Sequence, residues 1–102
     1  MEWPNPSVRS FSSRFDEGIK QIQLSEELGY DYVLIAEHHF SIYGFSPAPL
    51  LQALKIAEST DRIKIGTAAI IVPEWQPIRA AEEMAVLDHF TKGRVFLSLI
   101  HI

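Results

Sequence analysis

The stretch Val33-Leu34-Ile35-Ala36-Glu37-His38-His39-Phe40 decides how the chain is read. The apolar run from Tyr32 to Ala36 is short, built of β-branched or large residues, and continuous rather than alternating. That is the pattern of a parallel strand covered on both faces. It ends abruptly in one carboxylic acid, two adjacent imidazoles and an aromatic ring. Parallel α/β proteins and barrels carry their chemistry at the C-terminal tips of strands, so Glu37, His38 and His39 are candidate site residues.

Upstream of this strand, Met1 to Ser13 is rich in proline, serine and asparagine, and Pro4 and Pro6 both oppose helix. An extended segment is expected there, with Ser13 placed to cap a helix. From Arg14 to Leu28 helix formers dominate. Phe15, Ile19 and Ile22 form one stripe, and Leu24 and Leu28 lie nearly opposite, as in a helix pressed between a sheet and neighbouring helices. Gly29 is placed as the left-handed residue that ends it.

Downstream, Ser41 to Phe45 reads as a loop, and Ser46-Pro47 as an N-cap with proline next to it at the first helical position. Leu50, Leu54 and Ala57, widened by Leu51 and Ala53, give a second helix that stops at Ser59-Thr60-Asp61. Ile63 to Ile71 reads as the next strand, leading into a loop that carries Trp75. Pro77 opens a third helix reaching about Thr91, with Ala81, Met84, Ala85 and Leu87 available for burial. Gly93 ends that helix, and Val95 to Ile100 forms the last strand. The strand centres fall near Val33, Ile65 and Phe96, a spacing of about 32 residues that suits one βα unit of a barrel of roughly 250 residues. An open flavodoxin-like sheet shares the local pattern, but no βα turn carries GxGxxG or GxxxxGK, so a barrel is expected.

Composition bounds the partners. A chain of 102 residues is one domain at most, and its net charge of −4 is spread without the basic stripe that a nucleic-acid backbone demands. The absence of cysteine excludes disulfides, thiolate metal sites and a cysteine nucleophile. The N-terminus has no apolar core of a signal peptide, and no apolar run approaches the ~20 residues of a membrane span. A soluble chain is expected, compatible with a cytoplasmic setting.

Strand alternation sorts the tip residues. While the chain stays extended, Glu37 and His39 point one way and His38 and Phe40 the other. The imidazoles then diverge, and the HExxH spacing is absent, which disfavours a metal chelate. Glu37 comes directly after a buried strand, where an unpaired carboxylate is costly. It could orient an imidazole or pair with a cation; a structural role is expected for it, with Arg79 as a possible partner unless that arginine pairs with Glu82 or Glu83 on the surface. Trp75, Tyr43 and Phe45 could wall a substrate pocket or cover a loop. His89 reads as a solvated or dipole-favoured histidine at a helix end.

Several blocks, in order, resemble one family: Ser25 to Val33, Ala36-Glu37-His38-His39-Phe40, Tyr43 to Pro49, Arg62 to Ala69, Pro77 to Glu83, and Leu87 to Arg94. Together they resemble the bacterial luciferase-like, flavin-dependent monooxygenases over roughly residues 14 to 97. The resemblance implies an α/β fold, a partial TIM (β/α)8 barrel in which this chain supplies parallel strands two to four with their helices (residues 14–102, after an extended segment 1–13). It implies reduced FMN as cofactor, molecular oxygen as co-substrate, a small organic substrate such as an aldehyde, and a dimeric or larger assembly.

His38 would then be the catalytic imidazole assisting proton transfer at the flavin, a task suited to imidazole, whose unperturbed pKa is about 6.5. The alternative is a histidine packed at the strand end and bonded to a loop. His39 would line the cofactor pocket or support it. Ala68 and Ala69 would be joined by a non-proline cis peptide lying against the flavin, or be small merely for tight packing. His101 stands where the family has an arginine that helps hold the flavin. Alternatives to a monooxygenase fragment are a non-catalytic barrel piece or assembly module, associating through the helices after the second and third strands, and a deazaflavin-dependent relative. Three barrel strands alone would leave two open edges and one uncovered face.

Overall fold

The structure is a computed structural model that describes residues 11–40 and 46–100. The expected loop Ser41 to Phe45, with Tyr43 and Phe45, lies outside the described residues, as do His101 and the first ten residues. In chain order the elements are α1 (Phe11–Glu27), β1 (Tyr32–Ile35), α2 (Pro49–Ser59), β2 (Lys64–Thr67), β3 (Ile70–Ile71), a single 3-10 turn (Val72–Glu74), α3 (Pro77–Phe90), β4 (Val95–Phe96) and β5 (Leu99–Ile100). Every pairing among these strands is parallel. The main sheet runs β1-β2-β4, with Val33 opposite Ile65 and Ile65 opposite Val95, and β3 pairs with β5.

Two long strands were expected after β1, and each is divided in two. Parallel pairing stops at Thr67 and resumes at Ile70, and the intervening Ala68–Ala69 peptide is cis. Thr67, 1% exposed, bridges the gap in place of the backbone ladder. Its hydroxyl donates to the Ser98 carbonyl and accepts from the Ser98 N–H, both at 3.0 Å. The Ile70 N–H donates to the same carbonyl at 2.8 Å, which fills its second lone pair.

Helix α1 begins at Phe11, so Ser13 lies inside it rather than capping it, and the extended segment does not reach residue 13. It ends in a Schellman motif: Gly29 has φ +91°, its N–H donates to the Glu26 carbonyl, and the Tyr30 N–H donates to that of Ser25. Ile19 and Ile22 pack on the core, while Phe15, Leu24 and Leu28 are exposed. Only one of the two apolar stripes is therefore covered. Helix α2 opens at Pro49 with Ala48 as N-cap, two residues later than Ser46-Pro47 suggested. Ser46 is drawn away from capping because its hydroxyl donates to the Ala36 carbonyl at 2.6 Å. Helix α3 opens at Pro77 as expected, and the Gln76 side chain accepts from the Arg79 N–H at 2.7 Å. At its far end Lys92, not Gly93, takes the first left-handed position, with φ +55°.

The core lies between the sheet and the helices, on one face only. Ile35, Ile65 and Ile70 meet Leu50, Ala53, Ile56 and Ala57 of α2 and Leu87 of α3. Burial alternates along β1, so Val33 and Ile35 face the helices while Tyr32 and Leu34 are exposed. The apolar run suggested a strand covered on both faces, and the second face is open, as expected of three barrel strands taken alone. Phe96 lies over Gly66, where an added Cβ would overlap its ring, and meets Tyr32 edge to face at 5.9 Å. No helix among the described residues is long and apolar enough to cross a membrane.

Two polar clamps fix the layers. The Glu26 carboxylate, in the last turn of α1, accepts from the backbone N–H of Asp61 (3.1 Å), Arg62 (2.6 Å) and Ile63 (2.7 Å). Hydrogen bonding from Ile63, with further help from the Arg62 and Asp61 N–H groups and the Arg62 charge, outweighs burial and holds its pKa below the ordinary 4.5. Arg94, entering β4, closes the C-terminus of α2. Its guanidinium donates to the carbonyls of Ala57 (2.8 Å), Thr60 (3.3 Å) and Ile63 (3.2 Å) and to the Thr60 hydroxyl (3.0 Å). A cation among the last carbonyls of a helix meets both their lone pairs and the helix dipole.

Candidate functional site

The tips of β1 and β2 lie side by side. Their ladder runs from Tyr32 opposite Lys64 to Ile35 opposite Thr67, and the Ala68 N–H then donates to the Ile35 carbonyl at 2.8 Å. The residues just beyond, Ala36 to His39 on one strand and Ala68-Ala69 on the other, are thus neighbours at one end of the sheet. The cis peptide that the resemblance implied is present at this point. Ala68 is exposed and Ala69 half-buried, and each adds only a methyl group to the backbone there.

His38 is exposed, and its backbone N–H donates to the Ser46 carbonyl at 2.9 Å, pinning the tip to the segment that leads into α2. The chain leaves the extended conformation at Phe40, where φ is +53°, and Phe40 is 99% exposed. Alternation therefore holds only as far as His39.

Within that span Glu37 and His39 lie on one side, as alternation implied, and they touch. His39 Nε2 and Glu37 Oε1 are 2.7 Å apart. Glu37 is buried, and its carboxylate also accepts from the Ile71 N–H (2.8 Å) and from Trp75 Nε1, 2.9 and 3.0 Å from its two oxygens. Trp75 thus spans Glu37 and the core. Arg79 is not the partner of Glu37: it pairs with Glu83 at 2.9 Å on the surface, because helix α3 places the two at i and i+4. His89 is exposed in the last turn of α3, as expected.

Apart from this tip, two apolar grooves open on the helix layer. One, about 570 Å³, lies between α3 and the β4–β5 segment and includes Met84, Phe96, Leu97 and Leu99. The other, about 500 Å³, lies between α2 and α3 and includes Leu51, Leu54, Val86 and Phe90. Neither is lined by His38, His39, Ala68 or Ala69, so the two hollows lie apart from the histidine-bearing tip.

Sequence reasoning overlooked three polar residues that fix the sheet: Glu26 and Arg94 at the end where β2 and β4 begin, and Thr67 at the tip of β2. One of them carried a signal. A carboxylate in the last turn of a helix opposes the dipole and needs an external reason, and Glu26 has one in the three N–H groups before β2. Arg94 and Thr67 gave no sign, since an arginine after a turn and a threonine in a strand are both ordinary.

Comparison with known proteins finds one matching family and several relatives. The family described as luciferase-like monooxygenase matches residues 3–101. The alkanal monooxygenase alpha chain of Photorhabdus luminescens is 40% identical over 76 residues, covering 74% of this chain and 21% of that protein. The oxygenase component of the flavin-dependent trigonelline monooxygenase of Acinetobacter baylyi is 29% identical, covering 83% of this chain and 24% of that protein. Among solved structures, the oxygenating constituent of 3,6-diketocamphane monooxygenase from Pseudomonas putida, in complex with FMN, superimposes with a TM-score of 0.86. It shares 30% identity and covers 94% of this chain and 26% of that one. The chain thus spans about a quarter of the length of these relatives.

Proposed function

Because the chain belongs to the luciferase-like monooxygenase family, we propose that it forms the part of a flavin-dependent monooxygenase in which His38 and the Ala68–Ala69 peptide meet the flavin. The observation that carries this reading is the juxtaposition of a histidine-bearing strand tip with a cis peptide between two small residues on the adjacent parallel strand. The residues present fit a flat, hydrogen-bonding ring: Ala68 and Ala69 leave the backbone approachable, and the imidazoles offer proton donors and acceptors beside it. When bound, reduced FMN supplies the electrons with which molecular oxygen is activated.

The chain's own part is to hold and to move protons. His38, exposed at the tip, is the acid–base group, and His39, braced by Glu37, lines the cofactor side. The substrate is a small organic molecule such as an aldehyde, as the name of the Photorhabdus relative suggests. Self-association through the groove between α2 and α3 accompanies this reading, supported by the exposure of Leu51, Val86 and Phe90 along it.

Titration of the purified chain with oxidised and reduced FMN, read by flavin fluorescence quenching, tests the reading. Saturable binding with a dissociation constant in the tens of micromolar is expected, and its absence would refute the flavin role for this polypeptide. Where turnover of a linear aldehyde is measurable, His38→Ala lowers it about 10²-fold while leaving FMN affinity nearly unchanged.

A further inference from the structure

Among the described residues Glu37 is the only buried charged side chain, 4% exposed. Three donors from three segments converge on it: the Ile71 N–H at the end of β3, the Trp75 indole N–H beyond the 3-10 turn, and His39 from its own strand tip. A neutral amide could not accept all three, since its nitrogen would face a donor. An ionised carboxylate, with about four lone-pair sites and no hydrogen, can.

This acceptor-only character fixes the histidine. With backbone and indole N–H groups already donating to Glu37, an ionised carboxylate requires the hydrogen between Glu37 and His39 to sit on Nε2. The other ring nitrogen, Nδ1, is turned away from the carboxylate, and the ring is 28% exposed. The same carboxylate holds Ile71, two residues after the cis Ala68–Ala69 peptide.

We propose that Glu37 is a positioning residue of this site: its carboxylate sets the His39 ring with Nδ1 presented to the cofactor and ties the chain after Ala69 to the same anchor. The part concerning the cofactor rests on the flavin reading given above; the part concerning the ring does not. Glu37 acts through His39 and the Ile71–Trp75 segment.

The experiment compares 15N-labelled wild-type protein with Glu37→Gln and His39→Gln, by imidazole and indole NMR and by FMN titration. In the wild type a His39 Nε2–H signal exchanges slowly with water and the Trp75 indole N–H is protected. Glu37→Gln speeds exchange at His39 and weakens FMN binding, each about tenfold, as expected for a lost charge-assisted hydrogen bond. His39→Gln can still donate to Glu37, so it keeps the Trp75 protection yet weakens FMN, and it serves if Glu37→Gln does not fold. A wild-type His39 N–H exchanging as fast as free imidazole, or slow exchange retained in Glu37→Gln, overturns the proposal. Unchanged FMN affinity in His39→Gln overturns the presentation of Nδ1. If wild type binds no FMN the flavin reading fails, and the exchange measurements still decide the role of Glu37.

Discussion

Replacing Glu26 with alanine should cost about 2 kcal/mol of folding stability, and most of that traces to one N–H group. The carboxylate accepts from Asp61, Arg62 and Ile63, of which the first two are exposed and find water once it is gone. Ile63 is fully buried, and its N–H is left unpaired at a cost of about 1 to 3 kcal/mol. The other two bonds, open to solvent, add a few tenths of a kcal/mol each. The pH dependence has a definite sign. Glu26 is held below its ordinary 4.5, so between its folded value and 4.5 the unfolded chain binds the extra proton. Stability from this group is therefore complete above 4.5 and is lost as pH falls through the folded value. Urea unfolding of wild type and Glu26→Gln, monitored by circular dichroism over about pH 3 to 7, should show the gap between them closing on the acid side. A gap constant with pH, or widening toward acid, would refute the argument, and a Glu26→Ala loss under about 0.5 kcal/mol would refute the assignment of the buried Ile63 N–H.

Two further outcomes are open to the same unfolding assay. Gly66→Ala drives the Phe96 ring from its place and from its contact with Tyr32, for a net loss of about 1 kcal/mol. In a Phe96→Ala background the same change should be neutral or slightly stabilising, and strict additivity in the double-mutant cycle would exclude the clash. Arg94→Met should cost about 2 to 3 kcal/mol and Arg94→Lys roughly half of that, because a point charge cannot serve acceptors in two directions. Equal stability of the lysine variant and wild type would rule out the fork geometry as the cause.

The strand tip and its neighbours show where a sequence becomes legible as a site. Glu37 and His39 were placed on one side by alternation alone, since a period of two needs no knowledge of the rest of the chain, while their contact is seen only in the structure. The partners of Glu37 were not: Trp75 and Ile71 lie more than 30 residues away, and Arg79 was the plausible but wrong cation. Ser46 was read as a cap from its local sequence, whereas tertiary contact turned its hydroxyl toward Ala36. The cis peptide at Ala68–Ala69 came from family resemblance, and nothing in two alanines announces it.

By itself the sequence determined the alternation of helix and strand, the parallel sense of the pairing, the Gly29 stop and the proline start of α3. Each of these depends on periodicity or on the φ preference of a single residue. Only the tertiary structure decided that the strands after β1 are each divided at the Thr67–Ser98 bridge, and that Glu37, Glu26 and Arg94 carry the polar joints between layers. The physical reason is that buried polar groups choose partners by proximity in space, and the chain brings those partners together only after its apolar faces have met.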